Sequence, residues 1–149
     1  MTQTSATPHR VIADRVRDLR KGRGWSAQRL ADELTRAGTP WDRSVVANFE
    51  NGRRASLSVE ELFALAYVLD VAPVNLAIPT DRESPPYAPV PDLVISADDA
   101  REWIRGRKPI GEQDVDTYFS KIAGNDFGFI YDALKAAHER RAKASDGER

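Results

Sequence analysis

Apolar residues recur along this chain at steps of three and four, in short runs separated by polar punctuation. Ile12, Val16 and Leu19 mark a first amphipathic helix that ends near Gly22 to Gly24. Ser26 caps a second, carrying Leu30, Ala31 and Leu34 and stopping around Gly38-Thr39-Pro40. A third follows Asp42, with Val45, Val46 and Phe49 on its apolar side. A fourth opens at Ser58, three residues before Glu61, the spacing of a capping box, and buries Leu62, Leu65, Ala66 and Leu69. A short fifth turn runs from Pro73 to Leu76, with proline in a tolerated first-turn position. Each segment has one apolar face, so together they predict a small five-helix bundle.

Beyond Pro79 the pattern breaks. Five prolines between Pro79 and Asp92 exclude regular helix and predict an extended, semi-rigid connector. Leu93-Val94-Ile95 is either a short strand or an apolar anchor. Ser96 and Asp99 then form a second capping box ahead of Ala100, Trp103 and Ile104, and Gly106 ends that helix. Val115, Tyr118, Phe119 and Ile122 mark another. A last helix runs from Asn125-Asp126 towards Lys143, with Phe127, Ile130, Leu134, Ala137 and Arg141 at alternating steps of three and four. That face either closes a small C-terminal unit or forms a self-association seam; fewer than three heptads is a weak coiled-coil signal. The predicted organisation is a flexible N-terminus (1–10), a five-helix domain (11–79), a Pro-rich linker (80–92), a helical C-terminal region (93–143) and a disordered tail (144–149). The expected fold class is all-α.

The third helix carries the most chemistry. With each residue turning about 100°, Val45, Phe49 and Val46 fall at roughly 200°, 240° and 300° from Arg43. Arg43, Ala47, Ser44 and Asn48 fall at roughly 0°, 40°, 100° and 140°, on the opposite face. One side can therefore pack on a core while the other offers a guanidinium fork, a small residue, a hydroxyl and an amide. These groups suit base edges in a major groove. Asp42 is a natural N-cap, and Trp41 and Val46 have the spacing of a hydrophobic staple. Asn51-Gly52 supplies a left-handed stop. Arg53 and Arg54 then emerge beside the helix, where phosphates would lie if it entered a groove.

From Val11 to Pro79 the chain resembles the Xre or phage-repressor (Cro-like) helix-turn-helix proteins. The resemblance rests on Leu19-Arg20, Gly24-Trp25-Ser26, Leu30-Ala31, Val46 with Phe49-Glu50-Asn51-Gly52-Arg53, and Leu62 to Leu69. It implies that Arg43, Ser44, Ala47 and Asn48 face bases, that Asn51, Arg53 and Arg54 meet phosphates, and that Arg20 pairs with Glu50 as a structural contact. The chain departs from the family pattern in three places. The usual glutamine after the second-helix cap is replaced by Ala27, with Gln28 next, so Gln28 is taken for that phosphate contact. The stretch from Leu34 to Asp42 is about five residues longer than the usual tight turn, resembling actinobacterial members. Asp70-Val71 stands where a glycine commonly ends the fourth helix, so that end is expected to fray differently.

Charge sharpens the reading. The chain has formal net charge −1, yet residues 20–54 hold eight Arg or Lys against four Asp or Glu. Basic residues thus crowd the presumed reading surface, and local potential is what attracts phosphate. The absence of cysteine excludes disulfides and thiolate metal sites and suits a reducing compartment. The sequence holds no apolar run near the ~20 residues of a membrane span. Catalysis finds little support: only His9 and His138 are present, with no phosphate-cradling Gly-rich loop, paired-His motif or nucleophile elbow.

The sequence therefore predicts a non-enzymatic, cytoplasmic, nucleoid-associated regulator without cofactor or metal. It would bind double-stranded DNA, assemble as a homodimer through its C-terminal region, and act as a repressor. The alternatives are a DNA-binding antitoxin or mobile-element regulator with a protein partner, and an interaction adaptor that reads no DNA. An unknown protein or small-molecule effector remains open for the C-terminal half.

Overall fold

The computed structural model describes residues 5–80, 85–121 and 128–146, without the side chains at 128–131. Two compact units divide it, Met1–Ala97 and Asp98–Arg149.

The first unit contains the five expected helices. They are α1 (Pro8–Gly22), α2 (Ala27–Arg36), α3 (Arg43–Glu50), α4 (Val59–Val68) and α5 (Pro73–Ala77). Side-chain caps start the first four. Thr7, Ser26, Asp42 and Ser58 accept from the backbone N–H of Arg10, Arg29, Val45 and Glu61 in turn. The Ser58–Glu61 capping box is reciprocal, as its spacing predicts. Ala13, Val16, Leu30, Leu34, Val46, Phe49, Leu65, Leu69 and Leu76 are all buried, so every helix contributes to one core.

The long α2–α3 turn has a packing purpose. Thr39 N–H donates to the Leu34 carbonyl at 2.9 Å, and Trp41 N–H to Thr39 at 2.8 Å, which folds the extra residues back. Trp41 is thereby delivered into the core, edge-on to Phe49 with ring centroids 5.4 Å apart. Val46 is buried too, so both staple residues leave water. The end of α4 is closed by its own backbone. Asp70 takes the left-handed position (φ 53°), and Val71 N–H closes onto the Ala66 carbonyl at 3.0 Å. Aspartate tolerates that conformation better than most residues, so it replaces the glycine at modest cost.

The expectation of an all-α chain needs correction. Tyr87–Val90 (β1) and Leu93–Ile95 (β2) form an antiparallel hairpin, with Val90 opposite Leu93 and Pro91-Asp92 between them. The residues from Tyr87 onward, assigned to an extended linker, therefore belong to the first unit. The prolines do exclude helix, but edge strands accept proline, and burial of Tyr87 supplies the anchor. Its hydroxyl donates to the Ala77 carbonyl at 2.8 Å. Ala6 bridges Tyr87 in parallel, with Ala6 N–H on Pro86 and Ala88 N–H on Ala6. Residues 81–84 lie outside the described part.

The second unit holds α6 (Ala97–Ile104) from Asp98 onward, α7 (Val115–Ser120) and α8 (Gly128–Asp146). Gly106 (φ 71°) ends α6, its N–H on the Trp103 carbonyl. Tyr118 hydroxyl also donates to that carbonyl at 2.6 Å, tying α7 to α6. Helix α8 packs on α7 through the Lys135–Asp116 ion pair and the His138 ring, 6.0 Å from the buried Phe119. Of the proposed seam, Leu134 and Ala137 are half-buried and Arg141 is exposed. Phe127 lies outside the described residues, as do Ile122, Asn125 and Asp126.

Candidate nucleic-acid interface

Helix α3 is two-faced, as its sequence predicts. Val46 and Phe49 are sealed in the core. Arg43, Ser44 and Asn48 are exposed and Ala47 is half-exposed on the other side. Neither Arg43 nor Asn48 has a side-chain partner among the described residues. Ser44 differs: its hydroxyl donates to the Asp42 carboxylate at 2.6 Å. Toward a base it can therefore offer its lone pairs while that bond holds. That hydroxyl and the Val45 N–H hold the Asp42 carboxyl below the usual carboxylate range. Gln28, Asp42, Arg43, Ser44 and Ala47 together rim a surface hollow of about 500 Å³. The first turn of α2 and the first turn of α3 thus share one open edge. Within it the Gln28 amide donates to Asp32 at 2.8 Å.

The end of α3 is closed by its own backbone. Asn51 N–H reaches the Ala47 carbonyl, Gly52 N–H reaches Phe49, and Arg53 N–H reaches Asn48 at 2.8 Å. Gly52 holds φ at 72°, the left-handed stop expected of Asn51-Gly52. Asn51 and Arg53 are exposed beyond it, and the Arg53 guanidinium has no partner among the described residues.

Arg54 is placed differently. Its guanidinium pairs with Glu61 at 2.6 Å and lies over the Trp41 ring, 4.7 Å from the centroid. Glu61 also accepts from the Trp41 indole N–H at 2.9 Å and the Ser58 N–H at 2.9 Å. Burial alone would raise the Glu61 pKa, but these three donors outweigh it and hold it below the usual range. Arg54 thus fastens the α3–α4 loop to the long turn. The signal was in the sequence, since Glu61 serves the Ser58 box and stands seven residues from Arg54. Nothing local showed that Trp41 would complete the set.

Arg20 and Glu50 form the expected interhelical pair, bidentate at 2.6 and 2.7 Å. Their side chains are only 11% and 5% exposed. The third nitrogen of Arg20 donates to the Trp25 carbonyl at 2.7 Å. The bond to Glu50 raises the Arg20 pKa further, keeping it charged at any ordinary pH.

These placements revise the charge argument. Among the cations of residues 20–54, Arg23 donates to the Leu69 carbonyl, and Arg29 and Arg36 both pair with Glu33. With Arg20 and Arg54 also engaged, Lys21, Arg43 and Arg53 are the cations of that segment without a side-chain partner. A count of charged residues cannot separate structural guanidinium groups from those facing solvent.

A core-packed α2 and α3, joined by a turn, with the second presenting an exposed polar face, define a helix-turn-helix domain. Residues 16–76 match the family model described as Helix-turn-helix. The match bears out the resemblance to Xre and Cro-like proteins and makes the chain a DNA-binding regulator in general terms. No match is found among curated proteins or solved structures. No helix among the described residues is long and apolar enough to cross a membrane.

Proposed function

We propose that this chain is a sequence-reading repressor that places α3 in the major groove of an operator half-site. The observation that carries the reading is the pair of unpartnered, exposed side chains Arg43 and Asn48 on the face of α3 turned from the core. Arg43 suits guanine O6 and N7, and Asn48 suits adenine N6 and N7. Ser44 and Ala47 complete the reading face, with Ala47 offering a methyl group to thymine. Gln28, Asn51 and Arg53 flank that face as phosphate contacts. Arg54, engaged with Glu61 and Trp41, supports the loop in this proposal and leaves the phosphate set.

The proposal is one of binding without catalysis. Repression follows by occupying a promoter. The second unit pairs two chains, because two recognition helices about 34 Å apart read one face of DNA. The experiment is selection of duplexes bound by full-length protein from a random pool. A single enriched motif with two-fold symmetry supports the reading, and no enrichment over the starting pool overturns it.

A second reading, an antitoxin-like regulator or adaptor with a protein partner, is favoured by one observation. Val59, Phe63 and Tyr67 recur every four residues on α4 and are 61%, 55% and 80% exposed. Large apolar side chains aligned on one helix face are a common mark of protein contact. Loss of target regulation in Phe63→Glu, with DNA affinity intact, would favour this reading.

A further inference from the structure

We propose that Arg10, on the first turn of α1, is a DNA phosphate contact at the far end of the recognition helix. The inference rests on the DNA-binding reading above and extends its contact surface beyond the family match, which begins at residue 16.

Two contacts place the start of α1 against the end of α3. The His9 ring meets Phe49 edge-on, with centroids 5.4 Å apart. One position along, Nη1 of Arg10 lies where a side chain on Gly52 would stand, 3.1 Å from an added Cβ. Gly52 therefore serves twice: it takes the left-handed backbone that ends α3, and it leaves room for this guanidinium. Arg10 thus joins the same edge as Asn51 and Arg53, which flank Gly52 and are exposed.

The remaining nitrogens of Arg10 are held by Asp14. Nε donates to Oδ2 at 2.9 Å and Nη2 to Oδ1 at 2.6 Å, while Arg17 shares Oδ1 at 3.0 Å. This pair aims the guanidinium without locking it away, since the Arg10 and Asp14 side chains are 48% and 40% exposed. Exposed ion pairs are weak, so a phosphate can compete for the same donors. Arginine is also suited to grip two phosphate oxygens at once. Of the cations of residues 20–54, only Lys21, Arg43 and Arg53 lack a side-chain hydrogen-bond or ion-pair partner among the described residues, so a further cation beside Arg53 adds to the phosphate surface at that edge.

Asp14 then has a definite effect on binding. Its carboxylate competes with phosphate for the Arg10 donors and repels the DNA backbone. Removing its charge should strengthen binding, an outcome that a purely structural ion pair does not produce.

The test uses full-length protein and two duplexes, the one wild type selects from a random pool and a scrambled version. Arg10→Ala should weaken both complexes by a similar factor, about tenfold at low salt, and lower the salt slope by about one unit. Arg10→Lys should retain most of that slope. Asp14→Asn should bind both duplexes more tightly than wild type. Thermal melts of each variant show whether folding is retained. Wild-type binding with unchanged affinity and slope in Arg10→Ala would overturn this inference alone. A loss of affinity in both Arg10→Ala and Asp14→Asn, in step with lowered melting temperatures, would make the pair structural and overturn it as well. Wild type that binds neither duplex would overturn the DNA-binding reading and this inference with it.

Discussion

Replacing Arg20 by methionine should be among the most destabilising single changes in the first unit. Methionine keeps an apolar stem of similar reach but removes the bidentate bonds to Glu50 and the bond to the Trp25 carbonyl. Glu50 is then a carboxylate only 5% exposed without its cation. Breaking one partner of a buried pair costs about 3–5 kcal/mol, most of it from the stranded charge. For a unit of this size, where each kcal/mol moves the melting temperature by about 4–8 °C, a fall of more than about 12 °C follows. Glu50→Gln should cost less, because its amide oxygen still accepts from Arg20. In the double variant no ionised carboxylate is stranded, so its loss should fall short of the sum of the two singles, by at least ~1 kcal/mol. The assay is urea unfolding of full-length protein followed by tryptophan fluorescence. A Trp103→Phe background leaves Trp25 and Trp41, both in the first unit, as reporters. Additivity of the two substitutions within about 0.5 kcal/mol would refute the coupling, whatever the geometry.

Recognition and phosphate binding should separate. Arg43→Ala should cost about 1–3 kcal/mol on the selected duplex and relax one base position, whereas Arg53→Ala should weaken all duplexes and lower the salt slope by about one; equal losses on every sequence for Arg43→Ala would remove it from the reading face. Acid unfolding should reveal the Glu61 cluster. A carboxyl with a depressed folded pKa contributes stability fully above its unfolded value, about 4.3, and loses it as pH falls through the folded value. Melting curves of Glu61→Gln should therefore lie below wild type near neutrality and converge with it in acid; parallel curves would contradict the cluster's role. Tyr87→Phe should cost about 1 kcal/mol by leaving the Ala77 carbonyl unpaired, while Tyr87→Ala should cost about 3–5 kcal/mol. Residues 1–97 should for the same reason melt above residues 1–80, and equal melting would detach the hairpin from the first unit.

Much of the first unit was legible because its signals are local. Caps at Ser26, Asp42 and Ser58, the stop at Asn51-Gly52 and three-to-four-residue apolar spacing fix helices over a few residues each. The two faces of α3 follow from the same periodicity, so the exposed positions of Arg43, Ser44 and Asn48 could be read directly. What depended on distant partners could not. The hairpin is held by Tyr87 reaching back to Ala77, beyond the prolines, and by Ala6, distant in sequence, pairing beside it. Prolines there announce only the absence of helix. Arg54 looked like Arg53 in sequence because its destination, Trp41 and Glu61, is set by the long turn and the start of α4. Arg10 escaped notice for the same reason, since its neighbour Gly52 is distant in sequence and adjacent only in the fold. The Arg20–Glu50 pair was available only through resemblance to other helix-turn-helix proteins.

The central claim is that DNA touches the exposed face of α3, and amide chemical-shift mapping tests it most directly. Isotope-labelled full-length protein would be titrated with the duplex it selects, and with a scrambled one. The account predicts that the largest shifts fall on Arg43, Ser44, Ala47 and Asn48 with the selected duplex, flanked by Gln28, Asn51 and Arg53. With the scrambled duplex the flanking residues should respond and the α3 face should respond less. Shifts centred instead on Phe63 and Tyr67 of α4, or a duplex that perturbs neither surface, would contradict it.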